Sequence, residues 1–209
     1  MRHTQKTLLA RFKKEHPALI DCSDALFDVY EMLHSCFAEG GKLLLCGNGG
    51  SAADCDHIVG ELMKGFLLRR PVPDKIASHH ALKGEGALLQ GALPAISLVG
   101  QTALSTAFAN DVDAEMIYAQ QVYGLGKPGD VLLGISTSGN AKNVCRALRV
   151  ACAVGMKTVG LTGENGGSML ALCDICLCVP AIETYRVQEM HLPLYHTLCA
   201  MLEVAFFDE

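Results

Sequence analysis

Two segments of the sequence share one order of residues: a short apolar run, a loop rich in glycine and hydroxyl groups, and then a helix-like pattern. The first passes from residues 43–46 into Gly47-Asn48-Gly49-Gly50-Ser51, and the second from 131–133 into Gly134-Ile135-Ser136-Thr137-Ser138-Gly139-Asn140. Such a loop gathers backbone N–H groups and hydroxyls at a helix N-terminus, where the helix dipole favours an anion. Because open α/β sheets bind ligands at the carboxyl ends of their strands, the pair of loops predicts a phosphate site.

Neither loop has the sequence of a common nucleotide-binding motif. The first lacks both the Lys-Ser/Thr closure of a P-loop and the spacing G-x-G-x-x-G, so no nucleotide cofactor is expected. Taken singly, each loop is also typical of an ordinary strand-to-helix turn. The presence of two loops, with three consecutive hydroxyls at Ser136, Thr137 and Ser138, favours phosphate binding over that alternative.

From residue 42 onward, short apolar runs alternate with helix-like segments. The predicted strands are 42–46, 95–99, 131–135, 157–161 and 175–179, and the predicted helices are 51–64, 114–124, 140–153, 167–172 and 183–207. Five short apolar strands separated by helices indicate an α/β three-layer sandwich with a five-stranded parallel sheet. Two helices over 4–14 and 17–37 form an N-terminal helical extension. We therefore expect one domain over 1–209, with N-terminal helices in 1–40 and an irregular insertion in 67–94.

Charge and hydropathy narrow the classes of partner and location. The net charge is −5, and no basic cluster stands out beyond Arg69-Arg70, so direct nucleic-acid binding is not expected. The first fourteen residues are polar and basic, with no apolar export signal, and no apolar stretch has the length of a membrane span. These features predict a cytoplasmic protein without a membrane partner.

The ten cysteines are expected to be free thiols. Most of them lie in apolar segments, and the absence of an export signal argues against a disulfide framework. Cys173, Cys176 and Cys178 include one C-x-x-C pair, but no second pair follows at zinc-ribbon spacing. The segment 175–179 is therefore interpreted as a buried strand.

Two predicted helices carry a set of polar groups suited to proton transfer. His57 and Glu61 are four residues apart, which places them on one helix face, and the last helix brings Gln188 and His196. Aldose–ketose isomerisation needs a carboxylate to move a proton between carbons and an acid or base at the oxygens, roles that suit Glu61 and His196. All four side chains offer N or O donors suited to zinc, although the first two could also form a simple surface pair. Pro193 is expected to interrupt the last helix.

These motifs, together with Asn110-Asp111 and Arg186-Val187-Gln188-Glu189-Met190-His191, resemble the sugar isomerase (SIS) domain, specifically its phosphoheptose isomerase branch. The likeness runs from about residue 42 to the C-terminus. It implies a flavodoxin-like sheet, a homotetramer with sites near subunit interfaces, and aldose–ketose isomerisation of sedoheptulose 7-phosphate to D-glycero-D-manno-heptose 7-phosphate or a related sugar phosphate. In zinc-binding members there is one divalent ion per subunit.

The resemblance also implies roles for individual residues. Glu61 matches the catalytic base and His196 its partner acid. The substrate contacts are Asn48, Gly49, Gly50, Ser51, Asn110, Asp111, Ser136, Thr137, Ser138 and Gln188, of which Ser136 to Ser138 bind the phosphate. The zinc ligands are His57, Glu61, Gln188 and His196.

The sequence departs from the family pattern at three places and leaves two other functions open. Ala141 stands where many isomerases have a serine, Pro193 lies in the last helix, and 67–94 is longer than the usual connection. One alternative is a non-catalytic adaptor that binds a replication initiator protein, and another is a sugar-phosphate sensor fused to a DNA-binding module. Such adaptors typically lack the residues that match Glu61 and His196, and the residues before 42 leave no room for a DNA-binding module. An isomerase is therefore favoured.

Overall fold

The computed structural model describes residues 4–208, which form helices around one sheet. The strands are β1 (Leu43–Gly47), β2 (Ala95–Ser97), β3 (Val131–Ile135), β4 (Lys157–Thr162) and β5 (Ile175–Cys178). The α-helices are α1 (Gln5–Glu15), α2 (Ser23–Ala38), α3 (Gly50–Met63), α4 (Asp74–Ala77), α5 (Thr102–Phe108), α6 (Ile117–Leu125), α7 (Lys142–Ala153) and α8 (Thr184–Phe207). Shorter 3₁₀ turns cover Pro17–Cys22, His80–Leu82, Glu85–Leu88, Ala114–Met116 and Gly167–Ala171, and Ala109–Asp113 forms a π turn.

All five strands are parallel, in the order β2-β1-β3-β4-β5. This is the flavodoxin-like order, which confirms the fold expected from the sequence. The strands β1 and β3 are central and buried along their whole length. They pair from Leu43 with Val131 to Gly47 with Ile135, so the loops that follow them leave the same edge of the sheet side by side.

The sheet separates two apolar cores, as a three-layer sandwich requires. Leu43 and Leu45 of β1 pack into a core with residues of α1, α2, α3 and α8. Leu44 and Cys46 point to the opposite face and pack with residues of α6 and α7. The alternation follows from the two-residue period of a strand, and it explains why β1 contains no polar side chain.

Several elements differ from the sequence-based expectations, and each difference has a local cause. Helix α5 and the π turn after it have no buried residue, so they lack the apolar period that predicts a helix. Residues 114–116 form a 3₁₀ turn, and α6 begins at Ile117. The predicted helix over 17–37 likewise begins as a 3₁₀ turn before α2. The edge strand β2 pairs only with β1 and ends at Ser97 rather than at residue 99.

The expected interruption of the last helix at Pro193 was wrong. Helix α8 runs without a break from Thr184 to Phe207 and contains Pro193. Proline removes one backbone hydrogen bond, but the flanking side chains of Leu194 and Leu198 are buried in the core and hold the helix in place. The hydroxyl of Thr197 donates to the Pro193 carbonyl at 2.7 Å, which gives this partly buried turn a further hydrogen bond.

The cysteines are free thiols, but the last strand is less buried than predicted. All ten cysteines lack a disulfide partner. In β5 only Leu177 is buried, while Cys176 and Cys178 are half-buried, because β5 is an edge strand. None of the helices described between residues 4 and 208 has the length and hydropathy needed to cross a membrane.

Candidate functional site

Helices α3 and α8 pack together and form a cluster of titratable side chains. The Nε2 atom of His57 lies 3.3 Å from Oε1 of Glu61 and 3.3 Å from Nε2 of His196. Helix α3 buries Ile58 and Leu62 against the core, so its remaining face carries the polar pair. Three of the four side chains that the sequence singled out for catalysis and metal binding therefore meet at one point.

His57 makes a second contact that the sequence analysis did not anticipate. Its Nδ1 atom lies 3.0 Å from the hydroxyl of Tyr195, and that hydroxyl donates to Oδ1 of Asp54 at 3.2 Å. Burial raises the pKa of Asp54, although the hydrogen bond from Tyr195 opposes the effect. The contact orients the ring of His57. The three-residue spacing of Asp54 and His57 on one helix was a signal that could have revealed it.

The surroundings of His196 lower the pKa of its imidazole. Partial burial and the adjacent ring of His57 lower its pKa, while the Glu61 carboxylate acts in the opposite direction. The ring also lies 5.5 Å from the ring of Phe66, measured between centroids. A neutral imidazole beside a carboxylate has one nitrogen to donate a proton and one to accept it.

Gln188 lies nearer the start of α8 than His196 does. Its side chain is therefore at the first loop and not in the histidine cluster. Its side-chain amide packs against Gly50, so closely that a methyl group on Gly50 would overlap it. Within residues 4–208, no hydrogen bond joins Gln188 to His57, Glu61 or His196. The glycine therefore leaves the space in which the Gln188 amide approaches the start of α3.

The donor atoms of the cluster are of the types that bind zinc, and two of their separations can be compared with those of a zinc site. Ligand atoms about 2.0–2.1 Å from a tetrahedral Zn²⁺ lie about 3.3 Å from one another, close to the separations around His57 Nε2. Between residues 4 and 208, however, no group of three or more His, Cys, Asp or Glu side chains is already gathered as a metal site. The rings of His57 and His196 instead contact each other directly.

The two glycine-rich loops are linked through a pair of amides. Asn48 and Asn143 exchange two side-chain hydrogen bonds, each 2.9 Å long. Asn48 belongs to the first loop, and Asn143 lies in the first turn of α7, just after the second loop. Asn143 is not among the residues expected from the sequence. Its side chain fixes the spacing of the two loops at the edge of the sheet.

The second loop has a shape suited to an anion. Gly139 has a φ of +65°, and a methyl group there would collide with the backbone of Gly166. Ser136 is buried, whereas Thr137 is half-buried and Ser138 is exposed. Ala141, the residue before α7, provides no capping side chain. The backbone N–H of Val144 donates to Oδ1 of Asn143 at 3.0 Å, so within residues 4–208 the N–H groups of Lys142 and Asn143 at the start of α7 remain available to a ligand.

Asn110 and Asp111 lie apart from both loops in this structure. They are exposed in the π turn, where the Asn110 amide donates to the Asp111 carboxylate at 2.8 Å. In the part of the chain that the structure describes, no hydrogen bond connects them to the loops. Arg146 of α7 forms ion pairs with Asp113 and Glu115, which ties the end of this segment to the helix that follows the second loop.

The sequence profile of the SIS domain matches residues 21–91 and 85–163. A phosphoheptose isomerase from Roseiflexus sp. (strain RS-1) is 42% identical over 181 residues, which cover 87% of this chain and 82% of that protein. One from Trichlorobacter lovleyi is 40% identical over 97% of this chain and 95% of its own length. The structure of a phosphoheptose isomerase from Neisseria gonorrhoeae superposes with a TM-score of 0.73 at 32% identity, covering 95% of this chain and 98% of that chain. The chain therefore belongs to the SIS domain family, in the branch whose named relatives are phosphoheptose isomerases.

Proposed function

We propose that this protein is a phosphoheptose isomerase, which converts sedoheptulose 7-phosphate into D-glycero-D-manno-heptose 7-phosphate. The observation that carries the proposal is the cluster in which Glu61 and His196 both lie 3.3 Å from Nε2 of His57. Relatives with this name align over nearly the whole chain. They do not favour the adaptor or the sensor as an alternative.

The phosphate of the substrate binds to the second loop. Thr137 and Ser138 are the less buried hydroxyl residues of this loop, and the uncapped start of α7 follows them in the chain. Ser136 supports the loop from within, because its buried Oγ accepts a hydrogen bond from the backbone N–H of Ala141 at 3.4 Å.

The sugar chain extends from the phosphate toward α3. Sugar hydroxyls contact Gln188 and the first loop. The substrate-binding residues of that loop are Asn48, Gly49, Gly50 and Ser51. Asn110 and Asp111 complete the sugar contacts in the assembled, substrate-bound protein. This arrangement brings the reacting carbons to Glu61.

Glu61 and His196 then perform the proton transfers. Glu61 removes a proton from C1 of the open-chain ketose, while His196 donates a proton to the oxygen on C2, which gives an enediol. Glu61 returns its proton to C2, and His196 recovers one from the oxygen on C1, so that the aldose forms. Partial burial lowers the pKa of His196, which favours the neutral ring with one nitrogen that donates and one that accepts.

We also propose one zinc ion per subunit, held by His57, Glu61, Gln188 and His196. A bound Zn²⁺ would polarise the substrate carbonyl as a Lewis acid, and Glu61 would have to leave the metal before it could act as the base. Oε1 of Glu61 lies beside His57. Its Oε2 is buried, has no hydrogen-bond partner in residues 4–208, and lies 3.7 Å from Nζ of Lys64. An oxygen without a partner supports a role for Glu61 as a metal ligand.

Zinc content measured after preparation without chelator should fall in His57→Ala and stay unchanged in His79→Ala, since His79 lies in the exposed insertion. Equal zinc content in both variants would exclude this ligand set.

The assembly and location follow the same family expectation. We propose a homotetramer, which is supported by large apolar side chains that are 66–81% exposed, namely Leu88, Val112, Tyr123 and Ile182. Light scattering should give about four times the 22.3 kDa chain mass. The ten free thiols support a reducing compartment such as the cytoplasm.

The test of the activity is NMR observation of the anomeric protons after sedoheptulose 7-phosphate is added, with and without zinc. Signals of an aldoheptose phosphate should appear with the unmodified protein and be absent with Glu61→Gln, which keeps the size of the side chain but removes the base. The matched control is Glu39→Gln, because Glu39 is exposed after α2, before the strands begin. Full turnover by Glu61→Gln would refute the mechanism, and no turnover by the unmodified protein would refute the function.

A further inference from the structure

A fully buried ion pair joins the segment after α3 to the second half of α8. The side chains of Arg70 and Glu203 both have 0% exposure, and Nε of Arg70 donates to Oε1 of Glu203 at 2.7 Å. Charged side chains are rarely buried to this extent unless every polar atom has a partner. The hydrogen-bond partners of Arg70 and Glu203 therefore show which segments of the chain the ion pair connects.

The remaining donors of Arg70 bind the end of α3. Its Nη1 donates to the carbonyl of Leu62 at 2.7 Å, and its Nη2 donates to the carbonyl of Glu61 at 2.9 Å. The last carbonyls of a helix have no partner within the helix, so Arg70 caps α3. One of the two capped peptides belongs to the proposed catalytic base itself.

Glu203 accepts three further hydrogen bonds, all from the backbone that follows α3. Oε1 accepts from the N–H of Phe66 at 2.7 Å, and Oε2 accepts from those of Leu67 and Leu68 at 2.7 and 3.1 Å. Glu203 lies seven residues after His196 on an unbroken helix, which is two turns or about 10 Å along the same face. The ion pair thus connects the helix that carries the base to the helix that carries the acid.

We propose that Arg70 is a positioning residue, which sets the separation of Glu61 and His196 through its bonds to α3 and to Glu203. The inference rests on the proposed function and deepens it. Glu61 of α3 and His196 of α8 both contact His57, so their spacing depends on how the two helices are joined. A misplacement of about 1 Å between reacting groups can lower a rate by about 10²-fold.

The first test is the variant Arg70→Lys. Lysine keeps the positive charge beside Glu203, but its single ammonium lacks the planar fork that reaches both carbonyls of α3. We expect kcat per folded molecule to fall at least about tenfold, while KM for sedoheptulose 7-phosphate changes by no more than about twofold, because the phosphate loop is untouched. The folded fraction is measured by circular dichroism.

The matched control is the ion pair of Lys42 and Asp130, whose side chains are 21% and 4% exposed and which lies outside the hydrogen bonds that join α3 to α8. Nζ of Lys42 lies 2.5 Å from Oδ2 of Asp130, and these residues precede β1 and β3. Asp130 also accepts a hydrogen bond from the backbone N–H of Lys127. Asp130→Asn should therefore lower the melting temperature without lowering kcat per folded molecule. An equal loss of kcat in this variant would show general destabilisation and overturn the proposal.

A second variant and a second measurement keep the outcome decisive. Glu203→Gln retains one oxygen for Arg70 but turns an amide donor toward the backbone N–H groups of the segment after α3, so it should reproduce the loss of kcat if Arg70→Lys does not fold. The imidazole NMR signals of ¹⁵N-labelled His57 and His196 report the geometry without turnover. They should shift in Arg70→Lys and stay in place in Asp130→Asn. Unshifted signals or an unchanged kcat in a folded variant would overturn the inference, whereas an inactive unmodified protein would defeat only the proposed function.

Discussion

Replacement of His191 by leucine should remove a large part of the acid sensitivity of the fold. His191 lies on α8 with 0% exposure, and within residues 4–208 neither ring nitrogen has a hydrogen-bond partner. Burial lowers the pKa of His191 to about 4, an effect that the nearby backbone of Thr162 opposes only in part. The ring is therefore neutral in the folded protein across the physiological range.

The sign and size of the effect follow from proton linkage. Between its unfolded pKa of about 6.5 and its folded pKa of about 4, His191 binds more protons in the unfolded chain than in the folded one, so stability falls as the pH falls. The contribution is absent at about pH 8 and reaches about 2 kcal/mol of lost unfolding free energy at about pH 5. Leucine does not titrate, so the variant escapes this loss.

Urea unfolding at several pH values between about 8 and 5 measures the effect. The quantity of interest is the unfolding free energy of His191→Leu minus that of the unmodified protein, because other titrating groups contribute equally to both. Any packing change from the substitution shifts this difference by a constant at every pH. The difference should move in favour of the variant by about 2 kcal/mol between about pH 8 and pH 5. A difference independent of pH would refute the reasoning.

Three further predictions concern the loops and Gln188. Gly139→Ala should lower the unfolding free energy by about 3 kcal/mol, and Gly49→Ala by about half as much. Both glycines have positive φ, but only a methyl group at Gly139 would meet the backbone of another residue. Equal losses of unfolding free energy in urea would contradict this. Ser136→Ala should raise KM more than it lowers kcat, because its hydroxyl supports the loop that binds the phosphate, and steady-state kinetics with an unchanged KM would count against that role. Gly50→Ala should displace Gln188 and weaken zinc binding with little loss of stability, because the methyl meets only the far end of a side chain; unaltered zinc affinity by titration would remove Gln188 from the ligand set.

The sheet was predictable because its signal is local. Each central strand is a continuous apolar run that ends in a glycine-rich loop, and β1 and β3 proved to be buried neighbours. The pair His57 and Glu61 was also accessible from the sequence, because a spacing of four residues fixes a common helix face. Patterns that extend over one element thus predicted both the fold and two of the three members of the histidine cluster.

Other features depend on tertiary contacts that no local pattern records. Helix α5 buries no residue and therefore leaves no apolar period. Arg70 looks like part of an exposed basic dipeptide in the sequence, yet it is fully buried because Glu203 lies more than a hundred residues later in the chain. The amide pair of Asn48 and Asn143 likewise joins residues whose proximity follows from the strand order.

The continuity of α8 explains why these separate contacts form a single site. Gln188, His196 and Glu203 span about 80° around an ideal helix, so on a straight helix all three lie on the face turned to α3 and the segment after it. Gln188 reaches the start of α3, His196 reaches its third turn, and Glu203 reaches the backbone beyond its end. A break at Pro193 would rotate Gln188 away from the face that carries His196 and Glu203. The unbroken helix therefore aligns the loop that holds the sugar, the groups that transfer the proton, and the ion pair that holds them together.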